Sequence, residues 1–201
     1  MTNRITERSL FGILALSVAL TACSSANSSL RSGTSKGGDN LPNSIGIKRK
    51  GNEKVVEYDL NHDKKPDVWE YYVNDKLVRK ELDINWDGKI DIVRSYNDAG
   101  QLSQEVLDLD FDGRPDQTNF YENGVIVKKE RDLNYDGKPD LWIYYEKGKI
   151  VRKERDTHGS GKIDYWEYWE NNQIDRIGED LDGDGNVDRW TKNPNADTSP
   201  G

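Results

Sequence analysis

Six acidic segments of nine residues recur along the chain, and their residue types suit the binding of a metal ion. The segment DLNYDGKPD (132–140) is typical, with aspartate at its first, fifth and ninth positions, asparagine at its third and glycine at its sixth. Calcium is a hard cation that takes several oxygen ligands at about 2.3–2.6 Å, and side chains at alternate positions of a sharply turned loop can supply them. The pattern therefore predicts a divalent-cation site in each well-formed segment.

We number the segments loop 1 (59–67), loop 2 (83–91), loop 3 (108–116), loop 4 (132–140), loop 5 (156–164) and loop 6 (180–188). Their shared pattern, Asp-x-Asx-x-Asp-Gly-x-x-Asp, resembles the ligand loop of EF-hands, dockerins and thrombospondin type 3 repeats. The resemblance implies calcium ligands at the first, third, fifth and ninth positions. In loops 2, 3, 4 and 6 these are Asp83, Asn85, Asp87, Asp91, Asp108, Asp110, Asp112, Asp116, Asp132, Asn134, Asp136, Asp140, Asp180, Asp182, Asp184 and Asp188.

Loops 1 and 5 depart from the pattern and are weaker candidates. Loop 1 has Lys64 where glycine is expected, and loop 5 has His158 and Ser160 in place of two oxygen-rich ligands. The twelfth position, where an EF-hand places a glutamate, is glutamate only after these two loops. The weaker metal candidates are Asp59, Asn61, Asp63, Asp67, Glu70, Asp156, Asp164 and Glu167.

Because most loops lack the glutamate ligand, we expect weak affinity, nearer the 10⁻⁴–10⁻³ M of extracellular modules than that of cytosolic sensors, as orders of magnitude. A plainer interpretation is that Asp, Asn and Gly serve as turn residues whose side chains cap backbone amides. Six matches with clustered carboxylates favour the metal interpretation, because unpaired charges at such short range repel one another. Basic residues of the strands, such as those at 128–129 and 152–153, could neutralise the loops instead.

The residues between the loops have the character of β-hairpins. An aromatic run such as LWIYY (141–145) has high strand propensity, a turn such as Glu146-Lys147-Gly148 follows, and IVRKE (150–154) then mixes apolar and charged residues. The sequence thus predicts an all-β fold, an elongated tandem array of about five 24-residue loop-plus-β-hairpin repeats. A solenoid-like stack, a single meander and a closed propeller-like ring all satisfy this periodicity, of which we favour the elongated forms. The aligned aromatic residues are expected to form core ladders.

Composition explains why an ion would be needed. Hydrophobic residues make up 33% of the chain and charged residues another 33%, so burial of an apolar core stabilises the fold poorly. Cys23 is the only cysteine, which excludes a disulfide within one chain. An ion that binds only the folded state would stabilise it by linkage.

The first residues have the parts of a secretory signal: Arg4 and Arg8, then an apolar stretch over 9–20 that is too short to span a bilayer. Leu20-Thr21-Ala22-Cys23 resembles the lipobox of bacterial lipoproteins, which implies cleavage before Cys23 and lipidation there by a diacylglyceryl group and an acyl chain such as palmitate. We expect a signal peptide at 1–22, lipidated Cys23 with a flexible Ser/Gly-rich tether at 23–44, the repeat domain at 45–192 and a disordered tail at 193–201. Ser24 and Ser25 follow Cys23 in place of aspartate, and in the resemblance to lipoproteins of enteric bacteria this sorting pattern implies the outer membrane.

Charge and motif content narrow the function. Removal of the leader takes the net charge from −8 to −9, which opposes binding to nucleic acid. No nucleophile motif occurs, and both histidines lie within loops, so we expect no enzyme. The favoured function is a calcium-binding structural or interaction module, anchored by lipid to the outer membrane with its domain facing the periplasm or the surface, with an envelope protein or a glycan as partner. A surface assembly, adhesion, a motility machine and a secretion machine are all compatible with it.

Two other functions remain open from the sequence. Trp and Tyr residues could form stacking platforms for a carbohydrate or for peptidoglycan, which predicts that Trp142 and Trp166 face solvent. Paired repeats like those of MORN proteins, found in some antitoxins, would use the Tyr-Tyr-x-x-Gly-Lys turns, although export of the chain argues against them.

Overall fold

The computed structural model describes residues 44–194, and these residues form thirteen β-strands and no helix. The strands are β1 (Ser44–Lys50), β2 (Glu53–Tyr58), β3 (Val68–Val73), β4 (Lys76–Leu82), β5 (Ile92–Tyr96), β6 (Leu102–Leu107), β7 (Gln117–Glu122), β8 (Val125–Arg131), β9 (Leu141–Glu146), β10 (Lys149–Arg155), β11 (Tyr165–Glu170), β12 (Gln173–Glu179) and β13 (Arg189–Lys192). The predicted signal peptide, Cys23 and nearly all of the tether lie outside the described residues, as do residues 195–201 of the tail.

All thirteen strands belong to one antiparallel sheet, and each strand pairs with its neighbours in sequence order from β1 to β13. The prediction of an all-β array of hairpins is confirmed, and the arrangement is an open meander in which β1 and β13 are the edges. Six hairpins are present, because β1 and β2 form one ahead of loop 1 that the periodicity of the loops did not indicate. No helix in the part of the chain from 44 to 194 could cross a membrane.

Two kinds of connection alternate along the meander. Within the hairpins the strands are joined by two-residue turns, except for the five residues 97–101 between β5 and β6, whereas successive hairpins are joined by one of the nine-residue loops. Asn74 and Asp75 have φ of +51° and +60°, and Asn123 and Gly124 have +51° and +76°. Two successive residues with positive φ match the type I′ turn, whose twist fits the right-handed twist of paired strands. Because the connections alternate, all six loops lie on the same side of the sheet, at the ends of the strands.

The sheet is a single layer with almost no apolar core. Among the described residues, only Val56 and Val68 are buried hydrophobic residues, while most of the buried residues are aspartates of the loops. Both faces of the sheet therefore contact solvent, and the strand aromatics are half-buried instead of enclosed, apart from the exposed Trp190 of β13. Trp142 and Trp166 are half-buried, which is neither the enclosed core ladder nor the open platform expected from the sequence.

On one face, here the front face, aromatic and basic residues alternate from strand to strand, except at β5 and β6, which have Ser95 and Gln104 in this register. The register pairs Tyr144 on β9 with Arg152 on β10, and the guanidinium carbon of Arg152 lies 4.1 Å from the centre of the Tyr144 ring. Lys128 lies 4.3 Å from the centre of the Phe120 ring in the preceding hairpin. Each such cation–π contact stabilises the fold by about 0.5–1 kcal/mol at an exposed site. Repeated across the sheet, these contacts take over part of the role of a core.

Glutamates bind the tyrosine hydroxyls on both faces. On the front face Tyr71 donates to Glu81 over 2.5 Å, and Arg79 also donates to that carboxylate. Burial, and then the hydrogen bond to Glu81, raise the pKa of Tyr71 to about 12. The sheet therefore holds this phenol in its neutral form.

On the opposite face, the back face, Glu70 accepts hydrogen bonds from Tyr58, Tyr72 and Lys80 at 2.7–3.0 Å. Burial alone would raise the pKa of Glu70, but the hydrogen bonds from Tyr72, Lys80 and Tyr58 outweigh it and lower the pKa below its ordinary value. The folded state therefore favours the ionised carboxylate.

Candidate metal loops

The six loops form a continuous row because each is hydrogen-bonded to the next through the backbone. The N–H of the first aspartate of a loop donates to the carbonyl oxygen of the ninth aspartate of the preceding loop. The Asp83 amide bonds to the Asp67 carbonyl over 2.8 Å, and the last such bond, from Asp180 to Asp164, is 3.0 Å long. All five junctions have this bond, so the position of each loop depends on its neighbour.

Inside each loop the carboxylates accept hydrogen bonds from backbone amides. In loop 2, Asp83 accepts from the N–H of Trp86 over 2.7 Å and from that of Gly88 over 2.8 Å. Asp91 accepts from the N–H of Ile84 over 2.6 Å and from that of Asn85 over 3.2 Å. These bonds close the loop around its acidic side chains and position them. The side chains therefore serve in part as backbone caps, as the plainer interpretation of the sequence anticipated.

Burial distinguishes the loop positions. The first aspartate of every loop is buried, and so is the ninth aspartate in loops 1 to 4, whereas third- and fifth-position side chains are mostly exposed. For Asp156, burial alone would raise the pKa, but hydrogen bonds from the backbone N–H of Gly161 and Ser160 lower it below its ordinary value. The carboxylate of Asp156 therefore stays ionised in the folded loop.

Two loops bring three carboxylates together. In loop 3, oxygen atoms of Asp108, Asp110 and Asp116 lie within 4.8 Å of one another. Loop 6 also brings three carboxylates within this distance, but from its first, third and fifth positions instead of the first, third and ninth. Its members are Asp180, Asp182 and Asp184. These separations allow a single divalent cation to contact all three oxygens of either triad, and so part of the expected ligand set is assembled.

Loops 2 and 4 have asparagine at the third position, and no carboxylate triad converges in them among the described residues. The Asn85 oxygen accepts from the N–H of Asp87 over 3.0 Å, and the Asn134 side-chain amide donates to Asp140 over 3.1 Å. In loop 2, however, one oxygen of Asp91 is fully buried and has no hydrogen-bond partner. A buried anionic oxygen without a donor fits a site that a cation completes.

The weaker candidates of the sequence are engaged by other groups. The three donors of Glu70 lie on the back face of the sheet, and Glu167 accepts from the indole N–H of Trp169 over 3.0 Å. In loop 5, Nδ1 of His158 lies 2.6 Å from a carboxylate oxygen of Asp164. That hydrogen bond raises the pKa of His158 above its usual value. The imidazole occupies the carboxylate that a metal ion would need in this loop.

Two lysines link neighbouring loops, which the sequence analysis missed. The ammonium of Lys89 in loop 2 donates to the carbonyl of Asp112 in loop 3 over 3.0 Å. Lys162 in loop 5 donates to the carbonyl of Gly183 in loop 6 over the same distance. Both lysines occupy the seventh position of their loop, and this shared position is the feature of the sequence that could have indicated the contacts between loops. The strand lysines considered as neutralising partners pair with aromatic rings and glutamates instead, as Lys128 does with Phe120 and Glu130.

Comparisons with known proteins give few relatives. No family model matches the chain, and no curated protein matches it. Among solved structures, the accessory secretory protein 1, 2 and 3 structure of Streptococcus pneumoniae is similar at 19% identity with a TM-score of 0.39, covering 55% of this chain and 20% of that one. The pneumococcal O-GlcNAc transferase GtfA in complex with UDP and GlcNAc is similar at 16% identity with a TM-score of 0.25, covering 61% and 21%.

A third similar structure is a mutant of S. aureus TarM with fondaparinux, α-GlcNAc-glycerol and UDP, at 20% identity and a TM-score of 0.20, covering 44% of this chain and 15% of that one. The chain thus spans about a fifth or less of the length of these proteins. One prediction is corrected by the matches: we expected no enzyme, and a structure named as a transferase is among them. The exclusion of catalysis is wrong on that finding and is withdrawn. The reaction itself remains a property of that protein.

Proposed function

We propose that this chain is a calcium-binding repeat lipoprotein that acts as a structural or interaction module at the bacterial cell envelope. In this proposal calcium occupies the loops with the most complete ligand sets and orders the row of loops at the ends of the strands. The lipid on Cys23 holds the sheet at the outer membrane, and the Ser/Gly-rich tether separates the two. A surface assembly, adhesion, a motility machine and a secretion machine are settings in which such a scaffold is useful.

The observation that carries the proposal is the convergence of three carboxylates in loop 3 and again in loop 6. Carboxylates held within 4.8 Å of one another repel strongly where water is partly excluded. A divalent cation removes this repulsion and binds only the folded loop, so its binding energy adds to the stability of the fold. The near absence of an apolar core makes such a contribution matter more here than in an ordinary domain.

The ligand chemistry favours calcium over magnesium. Each triad supplies carboxylate oxygens from one loop, and the remaining ligands would be backbone carbonyls and water, an irregular set that calcium tolerates. Magnesium demands near-ideal octahedral geometry and releases its water reluctantly. Because no glutamate completes either triad, we expect millimolar or submillimolar affinity.

Thermal melting of the mature chain, with Cys23→Ser to prevent lipidation, tests the proposal. At calcium concentrations ten to a hundred times Kd, each occupied loop should add about 1.4–2.7 kcal/mol to the free energy of unfolding. We therefore expect the melting temperature to rise in millimolar calcium and to fall back on addition of chelator. Calorimetry at constant ionic strength separates this effect from general screening.

A pair of variants identifies the loops as the binding sites. Asp110→Ala with Asp182→Ala removes one carboxylate from each triad and should abolish most of the calcium-induced rise. Asp98→Ala, in an exposed turn outside the loops, changes charge in the same direction and should leave the rise intact. A chain that melts at the same temperature with calcium and with chelator, or a triad variant that keeps the full rise, would contradict the proposal.

The envelope part of the proposal has its own test. Mass spectrometry of the N-terminal peptide from membrane fractions should find Cys23 as the first residue, carrying a diacylglyceryl group and an acyl chain. Recovery of the chain with residues 1–22 still attached and no lipid would refute the anchor without affecting the metal sites.

A further inference from the structure

The fourth position of loops 1 to 4 holds a large side chain in an uncommon backbone conformation. His62, Trp86, Phe111 and Tyr135 have φ between +61° and +66°. This left-handed region suits glycine and asparagine, and a bulky residue found there is an outlier. The side chains of Trp86, Phe111 and Tyr135 are also 40–59% exposed, so packing within the fold does little to offset the strain.

The chain itself shows that the loop does not need a side chain at this position. Loops 5 and 6 have Gly159 and Gly183 there, with φ of +65° and +78°. The same loop shape thus forms with glycine and without strain. The aromatic residues of loops 2, 3 and 4 therefore cost folding energy without a packing gain, and such strain is typical of residues that bind a partner.

These three rings form a row. Loops 2, 3 and 4 follow one another on the same side of the sheet, and each is displaced from the next by two strands. Equivalent positions of neighbouring loops therefore lie about 9.6 Å apart. The second position of each loop adds an exposed aliphatic side chain: Ile84, Leu109 and Leu133. We call these six residues the loop-edge row. Exposed apolar side chains that recur at equivalent positions of neighbouring loops indicate an interaction surface.

The charge around the row selects the chemistry of its partner. Loops 2, 3 and 4 contain ten aspartates against Lys89, Arg114 and Lys138, a net charge of −7. Lys89 donates to the carbonyl of Asp112, and Arg114 donates to the Asp112 carboxylate over 2.9 Å, so both are turned toward loop 3. Aromatic rings surrounded by carboxylates attract cationic side chains, whereas nucleic acids and anionic lipids are repelled.

We propose that the loop-edge row binds a basic segment of another protein in the polyproline II conformation, with lysine or arginine at every third residue. A polyproline II helix has three residues per turn and rises about 3.1 Å per residue, so every third side chain points the same way at intervals of about 9.3 Å. This interval matches the spacing of the rings. One basic side chain then lies over each of Trp86, Phe111 and Tyr135, as Arg152 lies over Tyr144 within the sheet.

The test measures binding of a fluorescent (Arg-Pro-Pro)₄ peptide to the mature chain with Cys23→Ser, by anisotropy in low salt and chelator. The triple variant Trp86→Gly, Phe111→Gly and Tyr135→Gly keeps all ten aspartates and removes strain, so it should fold at least as well. Loss of three cation–π contacts should weaken binding by about tenfold or more. A second triple variant with asparagine at these positions, which also tolerates positive φ, should behave in the same way.

Two controls separate the row from nonspecific attraction. A peptide of the same composition with its four arginines contiguous should bind the original chain more weakly. Only its first and fourth arginines point the same way at the ring spacing, so it can cover two rings and not three. Substitution of Leu181, an exposed residue of loop 6 outside the row, by Gly should leave binding of the spaced peptide unchanged.

Equal binding of the spaced peptide by the original chain and both triple variants would overturn the proposal, since charge alone would then explain it. So would the absence of binding at millimolar peptide, or binding of a neutral β-1,4-linked oligosaccharide that is lost in the triple variants while peptide binding is not. Because every measurement is made in chelator and the variants keep the carboxylates, failure here leaves the calcium proposal untouched, and the reverse also holds.

Discussion

Replacement of Asp91 by alanine should destabilise the sheet far more than replacement of Asp188, although the two side chains make the same hydrogen bonds. Each is the ninth residue of its loop. Asp91 accepts from the backbone N–H of Ile84 and Asn85 at 2.6 and 3.2 Å, and Asp188 accepts from Leu181 and Asp182 at 2.7 and 3.2 Å. Asp91 is 2% exposed, whereas Asp188 is exposed to solvent.

The magnitude follows from burial. A hydrogen bond to a charged group contributes about 1.5–3 kcal/mol, and a buried donor that loses its acceptor forfeits its desolvation energy as well. Two such bonds at Asp91 give about 3 kcal/mol or more, from which removal of the unpartnered buried oxygen subtracts about 1 kcal/mol, so Asp91→Ala should lower the free energy of unfolding by about 2 kcal/mol. At Asp188 water can replace the carboxylate, so Asp188→Ala should lower the free energy of unfolding by less than about 1 kcal/mol.

Urea denaturation at constant m-value gives the global loss, and amide hydrogen exchange gives the local one. Exchange of the amides of residues 84 and 85 should accelerate strongly in Asp91→Ala, whereas the amides of 181 and 182 should change little in Asp188→Ala. The local measurement matters because loop 6 lies beside the last strand, where fraying could hide a loss from the global one. Equal effects at the two sites would refute the reasoning that burial decides the value of these bonds.

Three further predictions concern the sheet. Because the folded state raises the pKa of Tyr71 to about 12, the contribution of Tyr71 to stability is complete below pH 10 and is lost as pH rises toward 12. The absorbance of tyrosinate and the loss of sheet structure in circular dichroism should therefore change together. The pKa of Glu70 is lowered in the folded state, so its pH dependence is the reverse: its contribution to stability is present above the ordinary glutamate pKa and is lost as the solution is acidified below it. Glu70→Gln should therefore reduce the loss of stability at acidic pH. Gly178→Ala should destabilise by about 1 kcal/mol in chemical denaturation, because its Cβ would lie 3.1 Å from atoms of Trp190 and Val187; unchanged stability would show that Trp190 moves aside freely.

Much of this architecture could be predicted from the sequence because the repeat is explicit. The aspartate spacing located the loops, and the runs such as LWIYY and IVRKE located the strands, so the all-β array of hairpins was predictable. The first hairpin could not be predicted from the loop spacing, because no acidic loop precedes β1. The sequence pattern also could not show whether the sheet is a single layer. Aromatic strand residues are equally compatible with a core between two layers and with a single sheet whose rings pack against lysine and arginine side chains.

The candidate sites were predictable in position more than in detail. Composition could not show that the first aspartate of every loop and the ninth aspartate of loops 1 to 4 would be buried, while only loops 3 and 6 bring three carboxylates together. That difference arises at the third loop position, where loops 2 and 4 have Asn85 and Asn134 in place of an aspartate. The exclusion of catalysis failed for another reason: absence of a known motif says little about a chain with so many carboxylates.

The hydrogen bond that joins the ninth aspartate of one loop to the first aspartate of the next has an evolutionary consequence. Asp108 and Asp132 stand in identical junctions, so excision of residues 108–131 would leave Asp132 to donate to the Asp91 carbonyl as Asp108 does now. Length can therefore change by whole modules without any new junction being invented. Such a chain can be shortened or extended by recombination between its own repeats, and selection can tune how far it reaches independently of what each module does.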